Sequence, residues 1–151
     1  MSNSEFSTPE LPAMGIMRPI GEDDRRLLSS YGEFLPVQSG NVLIEKGDEQ
    51  NSLFFVISGM LHAIGKKNGR DVLLGRISPG ETIGEINMFD PAKASATVKS
   101  VEFSQVWRID RDSLEGFMNN SPLPAAHLLI GISINLSRRL RATNERYMLQ
   151  Q

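Results

Sequence analysis

Side chains able to do covalent or metal chemistry are sparse in this sequence. The two histidines, His62 in a strand-like run and His127 in a helix-like one, have no second ligand at metal-binding spacing, and there is no cysteine. That excludes thiolate metal centres, iron–sulfur clusters, disulfides and cysteine redox sensing. There is no Gly-Lys-Ser/Thr phosphate loop and no serine held between glycines at a nucleophile elbow; Gly15, Gly65 and Gly75 read as turns and strand bends. We therefore expect no enzyme, no catalytic residue, no metal and no cofactor. What remains are binding groups: the stretch Ser78-Pro79-Gly80-Glu81-Thr82-Ile83-Gly84-Glu85-Ile86, then Lys93 and Ser95, and the basic run Ser137-Arg138-Arg139-Leu140-Arg141. A net charge of −2 gives no overall attraction to nucleic acid, so these arginines read as a solvated helix face. No direct DNA binding is expected of this run.

The elements that must position these groups follow from composition and period. A chain of 151 residues with 40% apolar and 23% charged content suits one globular domain. No apolar run approaches the roughly 18 residues of a membrane span, and the polar start lacks the design of a secretory signal, so a soluble, cytoplasmic chain is expected. Residues 1–15, with Pro9 and Pro12 among Ser, Thr and Glu, read as a flexible N-terminal tail, and 16–151 as the domain. Acids at Glu22-Asp23-Asp24 ahead of Leu27 and Leu28 suit a short helix ending near Gly32. From about 34 to 109 short apolar or β-branched runs are punctuated by Gly, Pro, Asn and Asp, the pattern of antiparallel strands in a sandwich or barrel. Leu53–Ile57 is the clearest strand, and Asn68-Gly69 between Leu61–Ile64 and Val72–Leu74 signals a tight hairpin. After Ile109 the period becomes helical: one helix starts around Asp110, Pro122 and Pro124 interrupt it, and a longer one runs from Ala125 to about Met148. Its stripe Leu129, Ile132, Leu136 and Leu140 is longer than one small domain can cover, which points to a homodimer through this helix.

Two stretches carry a resemblance to a known family. Gly40-Asn41-Val42-Leu43-Ile44-Glu45-Lys46-Gly47-Asp48 followed by Asn51 to Gly59, and Ile77 to Phe89 closed by Ser95-Ala96-Thr97-Val98, are similar to the cyclic-nucleotide-binding domains of the catabolite-activator type. With the terminal helix, the resemblance covers residues 18–148. It implies a mainly β fold with flanking helices, a double-stranded β-helix or jelly-roll β-roll, and a long C-terminal dimerisation helix. The first stretch would be scaffold. The second would be the phosphate-binding cassette, whose short helix aims free backbone N–H groups at a cyclic phosphate. Gly84 would admit the phosphate, Glu85 would accept from the ribose 2′-hydroxyl with Ile86 beside it, and Ser95 would touch the phosphate. Thr143 and Asn144 fall where relatives reach the purine base.

The same resemblance exposes departures. Where the family has an arginine that neutralises the phosphate this chain has Ala94, and Lys93, one residue earlier, is the candidate substitute. Asn87 stands where the family prefers Gly or Ala. The implied function is a regulatory sensor domain with weak or lost cyclic nucleotide binding. The alternatives are a site for another small anion at the amides near Gly84 and a ligand-free adaptor that holds a signalling protein partner in a bacterial pathway.

Overall fold

Asn68 and Gly69 adopt positive φ angles of 54° and 76°, as a two-residue hairpin turn of this hand requires. They join β4 (Leu61–Lys67) to β5 (Arg70–Ile77), which pair antiparallel from Lys67↔Arg70 to Leu61↔Ile77. This computed structural model describes residues 9–84, 89–90 and 92–150. The other strands are β1 (Glu33–Val37), β2 (Val42–Ile44), β3 (Ser52–Ser58), β6 (Thr82–Ile83), β7 (Thr97–Ser100) and β8 (Ser104–Asp110). They form two four-stranded antiparallel sheets, ordered β1-β8-β3-β6 and β2-β7-β4-β5. The expected β-roll with flanking helices is the architecture observed.

In β3 residues Ser52–Val56 are all buried, because this strand is covered on both faces. Phe54 and Val56 point into the roll, where they meet Val37, Ile44, Leu61, Val98 and Val106. Leu53 and Phe55 point the other way, with Trp107 and Ile109 of β8, and pack under the helices against Leu28, Phe117, Leu128 and Ile132. The helices are α1 (Glu22–Ser29), α2 (Arg111–Asn120) and α3 (Pro122–Leu149). Pro122 begins α3, where a proline has no intrahelical hydrogen bond to lose, so it starts a helix as well as ending one. The 28 residues of α3 give a rod of about 42 Å. Its first half closes the helical core; nearly every residue beyond Leu136 is exposed.

Order reaches further toward the N-terminus than the expected tail boundary. Leu11 is buried in the helical core, and its backbone N–H donates to Ser29 Oγ at 2.9 Å while its carbonyl accepts from Arg25 Nε at 3.1 Å. A single leucine among prolines and acids carries no periodic signal, so the sequence alone does not reveal this anchor. Gly15, at φ 53°, lies so close to the Gly80 carbonyl that a Cβ would collide with it, and Ile16 N–H donates to that carbonyl at 3.2 Å.

Asp110 caps α2: its carboxylate accepts from Ser113 N–H at 2.8 Å. The hydrogen bond to the Ser113 backbone holds the Asp110 carboxyl below the usual carboxylate range. A carboxyl lowered in the folded state contributes stability above its unfolded pKa, about 4, and loses it as pH falls through the folded value. Replacing Asp110 with Ala should cost about 1 kcal/mol in urea unfolding at neutral pH. Asp110→Asn should keep most of the cap, and the gap between wild type and Asp110→Ala should narrow, without closing, below about pH 4 as the carboxylate is protonated. A gap independent of pH would contradict the carboxylate's role.

Candidate ligand site between the roll and the terminal helix

The end of β6, the segment leading into β7 and the second half of α3 enclose a cavity of about 310 Å³. Gly84 lies on its wall at φ 93°, and a Cβ there would strike the Gln50 amide and the Ser52 carbonyl. The glycine is therefore required by the chain's own close approach as well as by its left-handed backbone. Glu85, Ile86 and Asn87, the rest of the expected cassette, lie outside the described residues.

Ala94 is anchored on both sides, its N–H donating to the Asp48 carbonyl at 2.9 Å and its carbonyl accepting from Gly47 N–H at 2.8 Å. Ala94 is buried and lines the cavity, as do Ser95 and Ala96. Lys93, the candidate substitute cation, is exposed, and its backbone bridges to Glu49. Its side chain is not among those that line the cavity, unlike those of Ala94, Ser95 and Ala96.

Among the described residues, the cation that lines the cavity is Arg139, which had read as part of a solvated helix face. It sits one helical turn before Thr143, which lines the same wall, and that i, i+4 relation was the available signal. Arg139 NH2 donates to the Thr82 carbonyl. Thr82 and Asn135 are both buried. With the Asn135 amide nitrogen facing Glu81 Oε2 at 3.2 Å, its oxygen accepts from Thr82 Oγ1 at 3.1 Å and from Arg139 NH2 at 3.2 Å. A polar clamp thus fastens α3 to β6. Gln50, another residue that sequence reading missed, also lines the cavity, its amide folded back to donate to the Ser52 carbonyl at 2.7 Å.

The expected dimerisation stripe divides on inspection. Ile132 is buried in the chain's own core, which corrects its assignment to a partner contact. Leu136 packs against that core and lines the cavity, and Leu129 is half-buried. Leu140 is 62% exposed at the cavity mouth. The outward face instead carries Leu123, Ile130 and Ile134. Asn144 is exposed, one residue beyond the cavity-lining Thr143.

The model of the cyclic nucleotide-binding domain family matches residues 34–121. The chain belongs to that family. It is 30% identical over 107 residues to the CRP-like cAMP-activated global transcriptional regulator of Mycobacterium tuberculosis, a match covering 70% of this chain and 46% of that protein. The chain thus spans about half the length of this curated relative. Among solved structures, a cyclic nucleotide-binding domain from Methylobacillus flagellatus superposes with a TM-score of 0.82 at 22% identity, covering 87% of this chain and 75% of that one. The catabolite activator protein of Thermus thermophilus gives 0.76 at 22% identity, covering 90% and 62%. At these identities the two structures speak for the fold.

The clamp generates a prediction of its own. Asn135→Ala leaves the Thr82 hydroxyl and the Glu81 carboxylate without their partner, and should cost about 1–3 kcal/mol by denaturant unfolding. An unchanged midpoint would show that the clamp contributes nothing to seating α3.

Proposed function

We propose that this domain is a non-enzymatic regulatory sensor of the cyclic-nucleotide type whose affinity for cyclic nucleotides is weak. The observation that carries this reading is the inward-facing, buried Ala94 on the cavity wall. A methyl group stands where the family resemblance places a guanidinium, and Lys93 is exposed and does not line the cavity. Gly84 and Ser95 remain on the wall, and Glu85 and Ile86 belong to the same reading. Arg139 then meets the ligand's negative charge from the helix side. Losing one charge-assisted contact of roughly 1.5–3 kcal/mol weakens binding about tenfold to a hundredfold or more.

Calorimetry with cyclic AMP and cyclic GMP tests this. The wild type should bind weakly, and Ala94→Arg should strengthen binding by about one to two orders of magnitude. Binding absent from both proteins would favour the adaptor that holds a signalling protein partner, with the cavity retained only as scaffold. Tight binding by the wild type would defeat the role given to Ala94.

The proposal includes a homodimer through α3. Leu123, Ile130, Ile134 and Met148 are exposed and, with His127, Ser137, Arg141 and Asn144, follow the alternating steps of three and four residues of a two-helix seam. On this reading Asn144 lies on the seam, Leu140 flanks it, and Leu129 and Thr143 lie off it, Thr143 over its own cavity. Ile130→Glu with Ile134→Glu should give folded monomers by sedimentation, whereas a wild type already monomeric at high micromolar concentration would remove the dimer. No DNA contact is assigned to these residues, since Arg138 and Arg139 line cavities of the domain itself. Among the described residues no helix is long and apolar enough to cross a membrane.

A further inference from the structure

A second cavity, of about 410 Å³, lies on the other side of Arg139, between the β4–β5 hairpin and the far half of α3. Four arginines line it: Arg76 from β5, and Arg138, Arg139 and Arg146 from α3. The carboxylate on its wall, Glu81, is already engaged, with Oε1 accepting from Ser78 N–H at 2.8 Å and Oε2 facing the Asn135 amide. The guanidinium groups of Arg76 and Arg138 have no hydrogen-bond or ion-pair partner among the described residues, and Arg146 NH2 donates to the Leu74 carbonyl at 2.6 Å. In a chain of net charge −2, this much positive charge around one concavity is a local feature. The rest of the wall is apolar, with Leu73 and Leu74 partly exposed and Ala142 opposite them on α3.

We propose that this cavity is a second ligand site for a small organic molecule carrying two or more phosphates, of the nucleoside polyphosphate kind. Planar forks that can grip phosphate oxygens in pairs, set around an apolar surface that can hold a ring, match such a molecule better than a single anion. The concave shape favours a small ligand over a nucleic-acid duplex, which is held by charges arrayed along its backbone. Ala63, Ile83, Arg139 and Thr143 line both cavities, so occupancy of one bears on the affinity of the other, reciprocally. The inference does not require a cyclic nucleotide to bind the first cavity.

The test is calorimetry on the full chain with inorganic tripolyphosphate, ATP, a duplex DNA oligonucleotide and, separately, cyclic AMP. Tripolyphosphate and ATP should bind, ATP the tighter of the two because its ring uses the Leu73 and Leu74 wall. Arg76→Gln and Arg138→Gln should each weaken both by about tenfold or more. Arg70→Gln, the same charge change at the hairpin turn, should leave them unchanged, and circular dichroism should show all three variants folded. Arg76→Gln should also leave direct cyclic AMP binding as it is, which separates failure of this site from failure of the first. Absence of tripolyphosphate and ATP binding, an equal loss in Arg70→Gln, or Arg76-dependent binding of DNA in preference to ATP would each overturn the proposal.

Discussion

The hold of α3 on β6 through Thr82 is the constraint on which both cavities depend. Thr82 belongs to a two-residue strand at the edge of one sheet and is fully buried, so its hydroxyl and carbonyl must find partners within the protein. Asn135 and Arg139, one turn apart on α3, provide them. Above this point the helix is fixed by apolar packing at Leu128 and Ile132; below it, little of the domain covers the helix. The polar clamp therefore sits where α3 leaves its own core, and a ligand that engages Arg139 acts on the contact that sets the helix against the roll.

Charge in this domain is distributed unevenly between the two walls of the ligand cavity. The strand wall presents Ala94, Ala96 and Ser95, whereas the helix wall presents Arg139, with Arg138 and Arg146 behind it. A positive group on a strand of a rigid roll binds without moving anything. The same group on a helix only partly held by the roll couples binding to helix position, at the cost of affinity. On the proposed reading, weak binding and sensitivity of the helix to the ligand would share one origin in where the guanidinium sits.

Much of the architecture was legible in local chemistry. The Asn68-Gly69 turn, the β3 run and the acidic cap ahead of α2 are each encoded by a few adjacent residues whose backbone preferences agree with the fold. What escaped was encoded only by distant contacts. Leu11 is an isolated apolar residue whose burial depends on Ser29 and Arg25. In the site, the burial of Ala94 on the cavity wall goes with backbone bonds to residues 47 and 48, which the local sequence does not reveal. The role of Arg139 was hidden because a basic residue on a terminal helix looks solvated until the roll is placed beneath it. Ile132 was misassigned for the converse reason: periodicity reveals an apolar stripe and leaves open which surface covers it.

The central claim is that a cyclic nucleotide enters this cavity and is held loosely, with Arg139 in place of a strand-borne arginine. An NMR titration of the wild-type chain with cyclic AMP reads location and strength together. The account predicts fast-exchange shifts that saturate only toward millimolar ligand and are concentrated at Gly84, Ser95, Arg139 and Thr143. Shifts absent from those residues at millimolar ligand, or slow exchange with saturation at submicromolar ligand, would contradict it.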